Sequence, residues 1–264
     1  MLTSILIVGF CAFLAAGLTM YSGFGLGTLM LPVFALFFPV EVAVVATALV
    51  HGANNVFKAA LLGRNADREV VIRFGLMAII AAVFGAMALG WLADSGSKMS
   101  VEVNDKVVSE VTPVKLIIGL LMIGFALFEL LPRFRKLEFD RRYLPLGGLL
   151  SGFFGGLSGH QGALRSAFLA KSGLSTERFV GSNAVIGLLV DLTRISVYLA
   201  LFTAAGGKVE DFDGWTLVIA GSLSAFAGVL LAKRFLHKVT MTSIQTLVGI
   251  LLFGVGLALV TGIL

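Results

Sequence analysis

Apolar runs close to the thickness of a bilayer recur along this sequence, and few folds can accommodate them. A helix needs roughly 20 apolar residues to cross the hydrocarbon, and runs of that order stand at about 42–62, 71–92, 114–131, 179–203, 214–231 and 241–263. Hydrophobic residues make up 58% of the 264 and charged ones 13%, with a mean hydropathy of +1.00. A soluble domain of this length cannot bury that much apolar surface. The period-2 alternation of an outer-membrane barrel is missing. The chain therefore reads as an all-α polytopic membrane protein.

Two polar, glycine-dense stretches interrupt the pattern. The first is Ser22-Gly23-Phe24-Gly25-Leu26-Gly27-Thr28; the second is Gly156-Leu157-Ser158-Gly159-His160-Gln161-Gly162. After the first break, Leu29 to Phe38 covers only roughly 15 Å as a helix, half a bilayer core. Pro32 and Pro39 reinforce the reading of a half-length helix. Residues 1–20 are apolar, and with Lys58 as the first basic residue they lack the positive start of a signal peptide, so they read as a membrane segment.

Charge in the connectors sets the topology. Arg64, Arg68 and Arg73 crowd the stretch around 63–70, and Arg133, Arg135, Lys136, Arg141 and Arg142 crowd 132–142. By the excess of Lys and Arg on the cytoplasmic side, both are inside, while 93–113 and 204–213, which carry most of the remaining acids, are outside. Residues 101–108 alternate around Asn104-Asp105 and predict a small outer hairpin. With these assignments 143–171 must enter the membrane and return to the inner face, and 1–38 must do the same from the outer face. Both termini are then outside. The chain divides into a first repeat at 1–131, a basic connector at 132–142 and a second repeat at 143–264, each repeat a re-entrant broken-helix hairpin plus three transmembrane helices. Three spans per half is odd, so the repeats are inverted.

An offset of 136 residues supports the duplication: it aligns Ser22-Gly23 with Ser158-Gly159, Thr47 with Asn183, Asn55 with Asp191 and Lys58 with Arg194. Asn183, Gly187, Asp191, Arg194 and Tyr198 share one helix face, as do Thr47, His51, Asn54, Asn55 and Lys58. Ionisable groups at the bilayer centre cost about 2.5–3.5 kcal/mol on insertion scales, so these faces look into protein or water. Asp191 and Arg194 can neutralise each other, and Lys58 can instead snorkel to the inner headgroups. A helix that restarts after a break aims free N–H groups and a positive dipole end inward, which suits an anion. The expected binding set is Ser22, Gly23, Gly25, Gly27, Thr28, Asn55, Lys58, Ser158, Gly159, His160, Gln161, Gly162, Arg165, Asn183, Asp191 and Arg194.

Other chemistries fare worse. Three scattered His and the single Cys11 have no metal-ligand spacing, so no metal or other cofactor is expected. The net charge of +5 sits in connectors and reports orientation, not nucleic acid. Gly23-x-Gly25-x-Gly27 has neither the strand nor the βαβ setting of a nucleotide loop. Gly156-Leu157-Ser158-Gly159 matches the GxSG pattern of rhomboid intramembrane serine proteases, but the three His do not offer the usual base on another span.

From Gly148 through Arg165, and on through Asn183 and Asp191-Leu192-Thr193-Arg194, the chain resembles the TauE/SafE family of bacterial and archaeal anion transporters. Gly23, Gly25, Gly27 and Pro32 extend the likeness into the first half, although the family's usual Gly-Gly-Gly run is replaced by alternating glycines. The resemblance implies transport of sulfite, sulfonates or related anions across the inner membrane, driven by an ion gradient. The residues themselves lead to an anion-preferring secondary transporter working by alternating access, not an enzyme, with an anion channel as the alternative. The expected partners are a small anion and the lipid bilayer, and a homodimer is compatible with both.

Overall fold

The computed structural model describes residues 1–20, 26–103, 106–135, 137–209, 212–235 and 241–264. In chain order the helices are α1 (Leu2–Leu18), α2 (Leu26–Ala35), α3 (Val40–Leu62), α4 (Arg68–Asp94), α5 (Pro113–Leu130), the single turn α6 (Pro132–Arg135), α7 (Leu144–Ser158), α8 (Gly162–Ala170), α9 (Thr176–Ala204), α10 (Trp215–Phe235) and α11 (Met241–Val260). Five of these are long and apolar enough to cross a membrane, α3, α4, α5, α9 and α10. Exposed Leu76, Ile80, Phe84, Met87 and Trp91 on α4 illustrate the apolar surface such a helix turns outward. The antiparallel strands β1 (Met99–Val103) and β2 (Lys106–Val111) form the expected hairpin; its tip, Asn104-Asp105, lies outside the described residues.

The second expected break is shorter than the sequence pattern suggests. Gly156, Leu157 and Ser158 belong to α7, and Gly162 opens α8, which leaves only Gly159, His160 and Gln161 between the helices. Gly159 ends α7 in the left-handed conformation at φ 82°, the backbone state glycine adopts without strain. In the first half α2 begins at Leu26, so Gly27 and Thr28 lie in its first turn and the half-helix ends at Ala35 rather than Phe38. Pro32 sits inside α2 rather than bounding it. Ser22, Gly23 and Gly25 lie outside the described residues.

The reason α7 runs on past Gly156 is its packing against α4. A Cβ at Gly148, Gly152 or Gly156 would come within 2.2 Å of the carbonyl oxygens of Phe74, Ala78 and Ala82 in turn. Glycines four apart line one helix face, and the missing side chains let two backbones touch. The residue numbers rise together along both helices, so α4 and α7 are parallel. The same device recurs between α1 and α10, where a Cβ at Gly17 would meet the Gly228 carbonyl oxygen at 3.2 Å and a Cβ at Gly228 would meet that of Phe13 at 2.2 Å. Those two helices are also parallel. In the antiparallel pair α5 and α11, Gly119 and Gly256 face each other.

The Phe139 N–H donates to the Ala167 carbonyl at 3.3 Å, so the entry to α7 and the exit of α8 lie side by side. On the other hairpin, Phe38 stacks on Phe212 with ring centroids 6.5 Å apart, and Phe212 meets Trp215 at the start of α10, the helix parallel to α1.

Asp67 ties the basic face together. Its carboxylate caps α4 by accepting from the Val70 N–H at 2.9 Å, and it pairs with Arg178 at 2.7 Å and Arg141 at 3.5 Å, while its own N–H donates to Ser182 Oγ. The Val70 hydrogen bond, aided by the two guanidiniums and opposed by burial, holds this carboxyl below its ordinary value. A depressed folded-state value contributes stability above the unfolded pKa of about 3.9 and loses it as pH falls through the folded value. Asp67→Asn is therefore expected to lower stability by about 1 kcal/mol at neutral pH. Melting temperatures of parent and variant should converge as the solution is made strongly acidic.

Candidate functional site

Two polar helix faces meet where α3 crosses α9 and the α7–α8 break abuts both. Thr47, His51, Asn54, Asn55 and Lys58 on α3 are all buried, as are Asn183, Asp191, Arg194 and Tyr198 on α9. Close approach is needed here too, because a Cβ at Gly187 would stand 2.6 Å from Asn55 Nδ2 and 3.2 Å from Arg165 Nη1. The start of α2 touches the α7–α8 break: a Cβ at Gly27 would lie 3.3 Å from the Gly159 carbonyl oxygen and 3.4 Å from the His51 ring.

Asp191 is the hub. Its Oδ2 accepts from Asn55 Nδ2 at 2.7 Å and lies 2.7 Å from His51 Nδ1; its Oδ1 accepts from Gln161 Nε2 and from Arg194 Nε, each at 3.0 Å. Arg194 Nη2 is 2.8 Å from the same Oδ1 but not aligned for a hydrogen bond, and Nη1 donates to the Gly155 carbonyl at 3.3 Å. Since Asn55 has a better acceptor in the carboxylate, His51 Nδ1 is the protonated nitrogen and donates to Asp191. All four groups converge on one carboxylate, which offsets part of the cost of burying it.

In Arg165, near the start of α8, Nε donates to Asn183 Oδ1 at 2.6 Å and Nη1 to Gln161 Oε1 at 2.8 Å. Asn183 in turn donates to the Phe179 carbonyl. Gln161 thus joins Arg165 to Asp191, and its own backbone carbonyl accepts from Ser151 Oγ at 2.9 Å. Beside this network is a cavity with about 330 Å³ of atom-free space, its open mouth included, lined by Thr19, Met20, Leu26, His51, Asn55, Lys58, Arg165, Val180, Asn183 and Ala184. Lys58 is only 7% exposed. It faces this cavity and has no hydrogen-bond or ion-pair partner among the described residues.

Of the residues expected at the site, Asn55, Lys58, Arg165 and Asn183 line the cavity. Gly159, Gln161, Asp191 and Arg194 form its bonded backing. Arg194, which the sequence pairs with Lys58 as a direct contact, is fully buried on Asp191 and Gly155 and is not on the cavity wall. The headgroup alternative for Lys58 does not hold either, because the side chain is enclosed. Ser158 and His160 form a separate pair: Ser158 Oγ donates to the Phe154 carbonyl at 3.0 Å and lies 2.9 Å from His160 Nδ1, while the imidazole stacks on Phe125 at 5.0 Å. Gly162 starts α8, and Thr28 is buried in α2.

His51 and Tyr198 stand on the two polar helix faces but are not among the residues expected at the site. The structure links His51 to Asp191 and to the cavity, and Tyr198 Oη to the Gly156 carbonyl at the end of α7. The one signal for His51 is its position four residues before Asn55, one helical turn along the same face. Thr19 and Ser151 carried no signal.

The family model described as Sulfite exporter TauE/SafE matches residues 5–259. No curated protein matches the chain.

Proposed function

This chain belongs to the TauE/SafE family of sulfite exporters and is a multi-pass membrane protein, and from that premise we propose that it is a secondary transporter of a small sulfur-containing oxyanion. The observation that carries the reading is the cavity wall: two cations, Lys58 and Arg165, the Asn55 amide and the His51 ring, with no carboxylate among the described lining residues. Sulfite and sulfonates present acceptor oxygens that such donors suit. Arg194 and Asp191 hold α9 and the α7–α8 break in register behind the wall.

Alternating access would use two inverted repeats, 1–131 and 143–264, joined by 132–142. Several contacts favour this. Exchanging the repeats turns the α1–α10 pair into the α7–α4 pair, and both are parallel and glycine-packed. Asn55 and Asp191, which correspond at the 136-residue offset, hydrogen-bond to each other, as expected of positions close to a pseudo-two-fold axis. The α7–α8 hairpin begins and ends at one face and α1–α2 at the other, which suits re-entrant elements. With the Asp67 cluster on the cytoplasmic side of the inner membrane, both termini would be outside.

The Ser158–His160 contact calls for a protease test. The Ser158 proton is committed to the Phe154 carbonyl, a common habit of helical serines, so the imidazole is placed to donate to Oγ and not to activate it. We read the pair as structural and the protein as a carrier without catalysis.

Reconstituted protein should show saturable sulfite counterflow. Arg165→Gln should raise the half-saturating concentration roughly tenfold or more, the effect of losing one charged hydrogen-bond donor. Flux without counterflow would mean a channel, and peptide cleavage abolished by Ser158→Ala would mean a protease.

A further inference from the structure

Resting on the anion-carrier reading, we propose that one edge of α3, marked by Lys58, Asn54 and Thr47, is the track along which the anion passes between the cavity and the face that carries the β1–β2 hairpin. The polar side chains of α3 fall into two groups. His51 and Asn55 are bonded to Asp191 on α9. Thr47 Oγ1 and both polar atoms of the Asn54 amide have no hydrogen-bond partner, although the two residues are 0% and 1% exposed. Lys58, one turn beyond Asn54, faces the cavity.

The groups are also separated on the helix surface. At about 100° per residue, positions 47, 54 and 58 fall within about 40° of one line, while Asn55 is turned further toward α9. On the opposite side of that line Phe57 stacks on Phe226 of α10 at 4.8 Å, and a Cβ at Gly221 of α10 would meet Val50 at 3.3 Å. The line therefore runs between the contacts of α3 with α9 and those with α10. At its Lys58 end the cavity is shared with the end of α1 and the start of α2, through Thr19, Met20 and Leu26.

Its direction and chemistry suit a passage. α3 starts at Val40, where Glu41 lines a second cavity with Lys98 and Glu110 of the hairpin, and it ends at Leu62, close to Asp67. From Lys58 to Thr47 the helix rises roughly 16 Å, half of a hydrocarbon core. Buried polar groups without partners cost stability, so this edge is kept at the expense of the ligand-free fold. A hydroxyl and an amide N–H₂ donate to an oxyanion, and neither has to break a protein bond first. Neutral donors beyond a cation also let the ligand move on, since passage needs sites that bind without trapping. Because Asn54 and Thr47 are sealed while the cavity at Lys58 is open, the track is closed toward the hairpin face, as alternating access requires of one end.

The test uses full-length protein in proteoliposomes, with sulfite as the probe and the near-isosteric changes Asn54→Leu and Thr47→Val. Each should slow sulfite counterflow about tenfold or more, the effect of losing one hydrogen bond to a charged group in the limiting step. Sulfite affinity by calorimetry should stay within about threefold of the parent, because the cavity wall is intact. The melting temperature of the ligand-free protein should rise, because a buried group without a partner has been removed. Thr47→Ser keeps the hydroxyl and should restore the rate. If one variant does not fold, the other decides. Parental counterflow rates in Asn54→Leu and Thr47→Val overturn the track and leave the carrier reading standing. Slow counterflow with a lowered melting temperature also overturns it, since these groups would then be structural. A parent without saturable sulfite counterflow overturns the carrier reading and this inference with it.

Discussion

Replacing Asp191 with Asn should be among the most damaging single changes in this protein, costing about 3–5 kcal/mol, the usual effect of stranding one partner of a buried ion pair. Asn matches the carboxylate in shape, so packing survives and the loss is electrostatic. Arg194 would keep an acceptor at Oδ1, but no negative charge would remain near it. On the other side the new amide N–H₂ would face Asn55 Nδ2 and His51 Nδ1, both donors in the parent. The measurement is the melting temperature of detergent-purified protein. A companion Arg194→Met change should recover part of the loss, because removing the second charge leaves nothing stranded. A double-mutant cycle over the two sites should then show coupling of about 1–3 kcal/mol. Additive effects would mean that the 2.8 Å approach of Arg194 to Asp191 contributes little.

Gly152→Ala is the second large effect, and its cause is purely steric. The added Cβ would sit 2.2 Å from the Ala78 carbonyl oxygen and 2.6 Å from the Ala78 Cα. Both are backbone atoms, which cannot rotate aside, so α7 would have to move away from α4. Overpacking of this kind costs about 1–3 kcal/mol, occasionally more, and a clash with backbone belongs at the upper end. Because α7 carries Gly155, Gly156 and the break, the displacement should also weaken anion binding. Gly124→Ala is the control: no atom lies within 4 Å of its added Cβ. There the ordinary helical advantage of Ala over Gly, about 0.5–1 kcal/mol, should stabilise the protein. Equal melting temperatures for the two variants would show that α4 and α7 do not depend on close backbone contact.

Most of the helical plan was legible in the sequence. Arg68 and Asp94 bound an apolar run and also bound α4, because charged groups stay out of hydrocarbon whatever the packing. The polar faces were legible for a related reason: Asn183, Asp191 and Arg194 recur at helical spacing, and in a membrane that face must turn inward. Break boundaries were less so. Gly156 reads as a loop residue and is helical, since the same residue type serves both a turn and a close helix contact, and only the position of α4 distinguishes them.

The site divides in the same way. Sequence by itself determined that this is a helical membrane protein with cations on helix faces turned away from lipid, because the cost of placing charge in lipid leaves little choice. It did not determine which cation faces the cavity. Arg194 and Lys58 align at the 136-residue offset, yet Arg194 is bound to Asp191 and Lys58 faces the cavity with Arg165. That asymmetry depends on where one carboxylate falls when α3 crosses α9, on Gln161 reaching both Asp191 and Arg165, and on how closely Gly187 lets the helices approach. These are distances between segments far apart in the chain, and only the tertiary structure sets them.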